Sequence, residues 1–526
     1  MNLQTGLIGH WPLDRGPRDC SGAGLTTVAR AVGFGAVEPG APASAAFDGA
    51  TSRLEVAPDP RLDTGTGDFA AALWVCAGDD GVDVAGDLLS RYDPESRRGW
   101  HLGLVSLPGV TTSMANDRNL HFGVDQAVSE PGWTACGRPG RAVFVYALTV
   151  FAGHLYAATC EPGAGEAGHV YRYEGGGWVD CGAPAACNSV TCLASLDGHL
   201  YCGVSRYRLS GSCLPDSPNQ TPGGGLYRYG GGTQWVQVGQ LEDEGVHCLS
   251  AFAGRLYAAP MRSHQVYEFD AGGRGRPIGP PARVMSLGFW NGHLYALTSG
   301  ADSVYRYDGD GAWTDCGCPP GTHQQYSFLV HQDQPLVGTW PLGEVFRFAG
   351  PGQWASCGSP GYSREVMGMA LYNGQVYAGT LPMGDVYRYG GGRAWAFTGS
   401  LERSHGFQLR RAWSMAVWGG RLYCGTLPSG LVYSYQAGRL VTWDRRFPDG
   451  WHHVAAVRRG RGLELFVDGR TAARSADFDP AVFDLSNGRP LLIGAGQHDV
   501  FRGRLRDVRL YGRALEASEV AALAAA

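Results

Sequence analysis

Polar, charged and aromatic residues recur at one place in a series of short apolar runs, and their side chains suit a binding site. The first residue of a run is polar at Ser189, Arg283, Gln324, Glu365 and Arg411. A second, adjacent column of the aligned runs adds Tyr146, His247, Met285, Tyr326, Met367 and Trp413. Guanidinium groups beside aromatic rings suit planar or sugar-like ligands, through bidentate hydrogen bonds and stacking. We therefore predict ligand contacts at Arg283, Gln324, Tyr326, Glu365, Arg411, Trp413 and His247.

The same residues allow a catalytic alternative, in which Glu365 and Arg411 act on a substrate. Glycoside hydrolysis needs two carboxyl groups roughly 5 to 10 Å apart. Glu365 and Glu244 are the acidic residues of this set, and arginines separate them along the repeat. A single carboxylate and an arginine, together with Tyr326 or His247, would suit proton abstraction of the lyase type. A ring of polar groups bridged by water, without a ligand, is a third possibility.

These positions belong to an internal repeat that extends from Trp133 to about Gln436. Within each unit, aromatic and aliphatic residues alternate with polar ones, as in Val386-Tyr-Arg-Tyr389. Such alternation indicates half-buried β-strands. The middle strand of the unit has a tyrosine that leucine replaces once, at Tyr156, Tyr201, Tyr257, Tyr295, Leu336, Tyr377 and Tyr423.

A fourth strand in each unit is marked by the pattern Trp-x-x-x-Gly. The tryptophans are Trp133, Trp178, Trp235, Trp313, Trp354 and Trp395, and residues 276–279 form a degenerate copy. Four strands in a repeat of about 40 residues are typical of a β-propeller blade. The region begins with a fourth strand at Trp133 and ends with a third strand at Tyr435, so its two ends complete one blade. The sequence thus predicts seven blades without an open sheet edge.

The innermost strand of each predicted blade has a small residue at one position. These residues are Ala147, Cys192, Cys248, Ser286, Ser327, Gly368 and Ser414. Strands that crowd together near a central axis would require small side chains. The loops on one predicted face vary in length, and the longest is the insertion at 205–224. Variable loops on a rigid scaffold commonly hold binding groups, so we place the predicted site on that face.

The flanking sequences contain a second set of motifs, split by the repeat region. Gly-His-Trp-Pro-Leu-Asp at 9–14, Phe-Asp-Gly-Ala at 47–50 and Leu-Trp-Val at 73–75 precede it. Trp-His-His-Val at 451–454 and Arg-Asp-Val-Arg-Leu-Tyr at 506–511 follow it. In their order, these motifs resemble the laminin G-like, pentraxin-like jelly roll of the concanavalin A-like lectin and glucanase superfold. The resemblance implies that a jelly roll is interrupted by a propeller inserted between Val124 and Trp443.

The resemblance also implies a structural calcium ion. In similar folds an aspartate on the last strand and carbonyl groups of the first strands hold this ion, and Asp507 matches the aspartate. Gly49 and Pro12 match the carbonyl donors, and such all-oxygen ligation suits calcium. The alternative is that Asp507 pairs with a neighbouring arginine. The carboxylate pair of the related glucanases is not recognisable, so glucanase activity is not implied.

Composition excludes several classes of function. All 43 basic residues are arginine, which excludes Schiff-base lysines and the lysine of Walker-type phosphate loops. The net charge of −5, without runs of like charge, is against binding to nucleic acid. The 14 cysteines include no Cys-x-x-Cys pair, and the N-terminus has no signal-peptide pattern, so we predict reduced thiols and no zinc site. Exclusive arginine usage with many Ala and Gly indicates a GC-rich bacterial genome.

Together these patterns predict an all-β protein, in which a discontinuous jelly roll contains an inserted, kelch-like seven-bladed propeller. We expect the jelly-roll halves at 1–126 and 440–526, the second half with a short C-terminal helix, and the propeller at 133–439. The predicted function is non-catalytic recognition of a glycan or protein, without an organic cofactor, nucleic-acid partner or membrane span. A cytoplasmic location follows by default, with leaderless export left open. The alternatives are a carbohydrate-active hydrolase or lyase and an intracellular interaction scaffold.

Overall fold

The computed structural model describes residues 3–36, 40–77, 86–127, 131–270, 273–300 and 303–526. These residues form an almost entirely β structure, in which the α-helix of the described part is α1, Ala517–Ala524. The chain folds into two compact units. Unit 1 contains Met1–Val105, Arg118–Glu130 and Gln436–Ala526, and unit 2 contains Ser106–Asp117 and Pro131–Tyr435. None of the described helices is long and apolar enough to cross a membrane.

The strands alternate with short turns along the whole chain. The first nine are β1 Leu7–Trp11, β2 Thr27–Arg30, β3 Gly33–Gly35, β4 Ser44–Asp48, β5 Arg53–Val56, β6 Phe69–Ala77, β7 Gly86–Asp93, β8 Arg98–Leu107 and β9 Asn116–Asp125. The central strands are β10 Thr134–Ala135, β11 Phe144–Phe151, β12 His154–Cys160, β13 Val170–Tyr173, β14 Trp178–Asp180, β15 Ser189–Leu196, β16 His199–Ser205, β17 Gly225–Gly231, β18 Gln234–Gln240, β19 Val246–Phe252, β20 Arg255–Pro260, β21 Val266–Phe269, β22 Gly275–Gly279, β23 Arg283–Trp290, β24 His293–Ser299, β25 Tyr305–Gly309, β26 Ala312–Asp315, β27 Gln324–His331, β28 Gln334–Trp340, β29 Val345–Gly350, β30 Gln353–Ser356, β31 Glu365–Tyr372, β32 Gln375–Leu381, β33 Asp385–Tyr389, β34 Trp395–Ser400, β35 Arg411–Trp418, β36 Arg421–Leu427 and β37 Val432–Tyr435. The last are β38 Arg439–Arg446, β39 Gly450–Arg459, β40 Gly462–Val467, β41 Arg470–Arg474, β42 Leu491–Ile493 and β43 Arg502–Tyr511.

Unit 1 consists of two antiparallel sheets that enclose one hydrophobic core. One sheet has the order β3-β4-β43-β6-β39-β40-β41, with β1 beside β43, and the other has the order β2-β5-β42-β7-β8-β9-β38. Rings from both sheets meet in the core, where the centroid of Phe69 lies 5.2 Å from that of Trp100 and 5.8 Å from that of Phe122. Because β6 pairs with both β39 and β43, the two ends of the chain form one all-β unit.

Unit 2 consists of four-stranded antiparallel groups. In the described residues there are seven of them, and six use consecutive strands: β11–β14, β15–β18, β19–β22, β23–β26, β27–β30 and β31–β34. One residue pair between β12 and β15, and one between β24 and β27, join two pairs of these groups into eight-stranded sheets. The seventh combines β35, β36 and β37 with β10, which precedes the other groups in the chain. Thr134 and Ala135 pair with Ser434 and Tyr433, as the sequence analysis predicts for the two ends of the repeat. The beginning and end of the repeat region are therefore hydrogen-bonded in one sheet.

The first strands of the seven groups contact one another in sequence. Each of β11, β15, β19, β23, β27 and β31 packs against the next first strand in the chain, and β35 packs against β11. The order of packing is therefore closed. Each first strand has a register shift near its start, as between Val284 and Ser286. Such a bulge bends the strand and alters the direction of its side chains.

A segment from outside the repeat fills the space between these first strands. Residues Ser106–Asp117 belong to unit 2, whereas the sequence analysis assigns them to the first half of the jelly roll. Hydrogen bonds join this segment to first strands in six of the seven groups, at Val150, Leu193, Leu249, Ser286, Phe328 and Val417. On the remaining first strand, a Cβ atom placed on Gly368 would lie 3.2 Å from Cγ1 of Val110.

This central segment gives a second reason for the small residues predicted on the first strands. The hydroxyl of Ser286 donates a hydrogen bond to the carbonyl of Gly109 at 3.3 Å, so this serine faces the segment. Asn116 bonds both backbone groups of Val417, accepting from its N–H at 3.0 Å and donating to its carbonyl at 2.8 Å. The small side chains therefore leave room for another stretch of backbone as well as for neighbouring strands.

The repeated tryptophans link adjacent groups. The Nε1 of Trp178 donates to the carbonyl of Cys136 at 3.0 Å, and the Nε1 of Trp235 donates to that of Cys181 at 2.9 Å. Similar bonds run from Trp313 to Ile278, from Trp395 to Cys357 and from Trp133 to the hydroxyl of Thr398. The cysteine column therefore supplies backbone carbonyls between groups. Within the residues that the structure describes, no cluster of His, Cys, Asp and Glu suits a metal ion.

Candidate functional site

Unit 2 contains a cavity of about 390 Å³ at the starts of the first strands. Five of the seven predicted ligand residues line it: His247, Arg283, Tyr326, Arg411 and Trp413. Gln324 and Glu365 are not among the lining residues. The rest of the wall comes from the other first-strand residues Tyr146 and Met285 and from the loop residues Arg206, Tyr207, Arg208, Ser210, Met261 and Arg262.

Strand register explains why residues far apart in the sequence meet here. The first residue of each first strand pairs with the last residue of the second strand, as in Arg283 with Ser299 and Arg411 with Leu427. All first residues therefore lie at the same end of their groups. Arg283 and Met285, on either side of Val284 where the register shift of this strand begins, both line the cavity.

Aromatic rings form one wall of the cavity. The ring centroid of Tyr146 lies 6.0 Å from that of Trp413 and 5.2 Å from that of Tyr207. Tyr326 lies 6.2 Å from Trp413 on the other side. Phe144 packs behind Tyr146, with their centroids 3.9 Å apart. The wall is therefore a packed cluster whose rings have few alternative positions.

The insertion at 205–224 forms part of this wall. The side chain of Asn188 fixes the beginning of the insertion through two hydrogen bonds to the backbone of Tyr207. Its Oδ1 accepts from the N–H at 2.8 Å, and its Nδ2 donates to the carbonyl at 2.9 Å. Arg411 donates to the hydroxyl of Ser212 at 2.8 Å, which attaches the insertion to a first strand. The insertion, which the sequence analysis counts among the variable loops, therefore contributes to the cavity wall.

Five arginines line the cavity, and the lining contains no carboxylate. Arg208 and Arg262 share one acid outside the lining, Glu244, at 2.6 and 3.5 Å. Arg206 donates a hydrogen bond to the side-chain oxygen of Gln220. Two of the five guanidinium groups are therefore partly neutralised by a single carboxylate.

Glu365 lies behind this lining and is 5% exposed. Burial raises the pKa of its carboxyl group, although the charge of Arg411 and a hydrogen bond from Tyr326 act in the opposite direction. The single proton of the Tyr326 hydroxyl is shared with Oε1 of Gln324. Glu365 and Gln324 thus contact the side chains that form the cavity wall, and their own side chains lie outside the lining.

His247 lines the cavity and is 6% exposed. Burial, with the charge of Arg283 nearby, lowers the pKa of His247 to about 3. Neither ring nitrogen has a hydrogen-bond partner, and the Nε of Arg283 also lacks one. A neutral imidazole with such a low pKa is a poor general base near neutral pH. It can still exchange hydrogen bonds with a polar ligand, because a neutral imidazole has one donor and one acceptor.

The predicted calcium residues lie in unit 1. Oδ1 of Asp507 lies 2.7 Å from Nε2 of His10 and accepts from Nε of Arg509 at 3.0 Å. The carbonyl of Pro12 accepts a hydrogen bond from the backbone N–H of Asp507 at 3.0 Å. Gly49 follows Asp48, whose carboxylate binds the backbone N–H groups of residues 50–52. A cation at Asp507 would compete with His10 and Arg509, so the calcium assignment stays a prediction.

The carboxyl-terminal part of the chain is similar to a known family. The family model described as the concanavalin A-like lectin/glucanases superfamily matches residues 412–521. No curated protein matches the chain.

Several solved structures are similar to part of the chain. A streptogramin B lyase is 10% identical, covers 58% of this chain and 97% of its own, and has a TM-score of 0.46. The virginiamycin B lyase from Staphylococcus aureus is 10% identical, covers 58% of this chain and 98% of its own, and has a TM-score of 0.45. YCF48 bound to D1 peptide is 12% identical, covers 59% of this chain and 99% of its own, and has a TM-score of 0.43.

Proposed function

We propose that the protein is a non-catalytic recognition protein that binds a glycan in the cavity of unit 2. The observation that carries this proposal is the composition of the cavity wall, in which four aromatic rings and five guanidinium groups surround about 390 Å³. Aromatic faces pack on the apolar faces of sugar rings, and guanidinium groups bond their polar substituents. The volume lies within the range of small-ligand sites, near its lower end.

The architecture that would present this cavity is a seven-bladed β-propeller, kelch-like in its repeat, inserted into a laminin G-like jelly roll. The closed order of packing among the first strands supports the propeller. The pairing of β10 with β37 supports closure of the ring within one blade. The two sheets of unit 1, and the family match at 412–521, support the jelly roll.

The enzymatic alternative has less support from the geometry. Glycoside hydrolysis would need two carboxyl groups beside the substrate, but neither Glu365 nor Glu244 lines the cavity. Glu244 is engaged by Arg208 and Arg262. His247, the other possible proton acceptor, has a pKa lowered to about 3. Recognition without turnover therefore fits the arrangement better than hydrolysis or elimination.

A glycan array compares the wild type with a variant whose cavity is filled. Ser210 is exposed on the lining, so Ser210→Trp adds bulk there without removing a buried contact. Ser518→Trp, on the exposed side of α1, is the matched control. We expect specific glycan binding by the wild type and by Ser518→Trp, and its loss in Ser210→Trp. Absence of binding by every form, or equal binding by all three, would contradict the proposal.

A further inference from the structure

We propose that the glycan bound in this cavity is anionic and presents a terminal carboxylate to Arg283. This inference rests on the proposed function and names the ligand class of the same cavity. It is carried by the charges around the cavity, by the lack of a partner for Arg283, and by the closed inner end of the cavity.

The charges around the cavity do not balance. Five guanidinium groups line it, at Arg206, Arg208, Arg262, Arg283 and Arg411. The nearby acids are Glu244, which two of these arginines share, and the buried Glu365 behind Arg411. A third acid, Asp243, accepts from the backbone N–H groups of Gly245, Arg262 and Ser263 and from the Ser263 hydroxyl. A fourth acid, Asp216, accepts from the backbone N–H of the lining residue Ser210 at 2.9 Å. Even with all four acids ionised, one positive charge is in excess.

Arg283 is the cation that a ligand would neutralise most directly. In the described part of the chain its side chain forms no ion pair or hydrogen bond, and its Nε is buried without a partner. Its charge faces His247, which is neutral and therefore gives no compensation. A guanidinium group binds a carboxylate through two parallel N–H···O bonds. A carboxylate at this position would replace the missing acid.

The remaining wall fits the rest of a sugar. The half-buried rings of Tyr207 and Tyr326 provide apolar surface for its C–H groups, and His247 offers a donor and an acceptor for hydroxyls. The residues Ser106–Asp117 occupy the space between the first strands, so the cavity does not continue along the axis of the repeat. A pocket closed at its inner end accommodates the end of a chain, and we therefore place the carboxylate on the terminal sugar.

The test uses pairs of oligosaccharides that differ only in the terminal acid. The probes end in a uronic acid, in its methyl ester, or in the corresponding neutral sugar, and a sulfated sugar forms a fourth set. Binding is measured by titration calorimetry at low and high salt, with the wild type, Arg283→Gln and Arg283→Lys. Arg470→Gln, at an exposed arginine of β41, is the matched control. Unchanged thermal unfolding of each variant shows that the fold is retained.

We expect the wild type and Arg470→Gln to bind the uronic acid, and the methyl ester to bind about 10- to 100-fold more weakly. Arg283→Gln should lose a similar factor for the acid and little for the ester, and Arg283→Lys should recover part of the loss. Equal binding of acid, ester and neutral sugar would overturn the inference and leave the proposed function standing. Binding of sulfated sugars alone would overturn the choice of carboxylate. Binding of no glycan at all would overturn the proposed function as well.

Discussion

The residues of the cavity differ in how directly they would touch a ligand. His247, Arg283, Tyr326, Arg411 and Trp413 line it, and their role in binding stays a prediction. Their shared position in the repeat predicts which strand end a residue occupies, but it does not predict which side chains reach the cavity. Glu365 instead contacts Tyr326 and lies within the electrostatic influence of Arg411, outside the lining. Arg206, Arg208 and Arg262 were missed because loops have no periodicity from which side-chain direction can be inferred.

The variant Glu365→Gln tests whether Glu365 is a catalytic residue. The variant keeps the shape of the side chain and a hydrogen-bond acceptor for Tyr326, and it removes a buried acid that does not line the cavity. We expect a change in glycan affinity of less than about tenfold, because one charged contact to Arg411 is altered without loss of a ligand contact. The measurement is titration calorimetry with the best glycan from the array. A protein that degrades this glycan, and stops doing so in Glu365→Gln, would instead support the enzymatic alternative.

Asp507 offers a test of the calcium prediction. If calcium binds there, adding it to protein treated with a chelator raises the unfolding temperature, because a ligand of the native state stabilises that state. The same addition to Asp507→Asn should have no effect. The measurement is thermal unfolding followed by circular dichroism, with magnesium as the control ion. No shift in the wild type would leave Asp507 as a hydrogen-bond partner of His10 and Arg509 alone.

At the scale of elements, substitutions of the repeated tryptophans test how much their hydrogen bonds between groups contribute to stability. Trp235 and Trp354 each pack on an aromatic residue of the preceding strand. In each of these two pairs the ring centroids lie 4.9 Å apart. The Nε1 of Trp235 donates to the Cys181 carbonyl at 2.9 Å, whereas the Nε1 of Trp354 has no partner. Trp235→Phe should therefore lower the free energy of unfolding by about 1 kcal/mol more than Trp354→Phe. Urea denaturation compares the two, and equal losses would contradict the role given to the hydrogen bond.

A substitution in the segment Ser106–Asp117 tests whether filling the space between the first strands stabilises unit 2. Asn116→Ala removes both hydrogen bonds to the backbone of Val417 and leaves two buried groups without partners. We expect a loss of about 2–5 kcal/mol in the free energy of unfolding, measured in urea. Gln353→Ala, at an exposed strand end, should change it by less than about 0.5 kcal/mol. A loss as small for Asn116→Ala would show that the segment contributes little to unit 2.

The sequence predicted the repeat well and this segment not at all. Tyrosine and tryptophan recur in every group or nearly so, and their period indicates strands, turns and the pairing of β10 with β37. Residues 108–115 connect β8 and β9 as an ordinary turn would, with Gly109 and several small polar residues. Their burial depends on contacts with distant strands, which no local pattern records. The one sequence feature that could have indicated their burial is the absence of charged residues before Asp117.

For the whole molecule, buried histidines predict a loss of stability in mild acid. Burial lowers the pKa of His121 to about 3 and that of His498 to about 4, and the two lie close to each other and to His101. The unfolded chain binds protons on these histidines below its ordinary pKa of about 6.5, and the native state does not. Stability therefore falls as the pH drops from about 6.5 towards 4, by about 2 kcal/mol for each histidine at pH 5.

Urea denaturation between pH 7 and pH 5 measures this dependence. His498→Gln removes one of the groups, so its stability should fall less steeply over this range than that of the wild type. His264→Gln, at an exposed histidine, should leave the slope unchanged. A wild-type stability that is constant from pH 7 to pH 5 would show that these histidines are accessible to protons in the native state.

The central claim for the whole molecule is that the cavity of unit 2, and not unit 1, holds the ligand. Photoaffinity labelling tests it most directly, with the best glycan from the array carrying a diazirine and peptide mass spectrometry locating the label. We predict labelled peptides that contain Arg206–Ser210, Met261 and Arg262, or Arg283–Met285, and protection of these peptides by excess unlabelled glycan. Labels confined to β38–β43 of unit 1 would contradict the account, because they would place recognition in the sandwich.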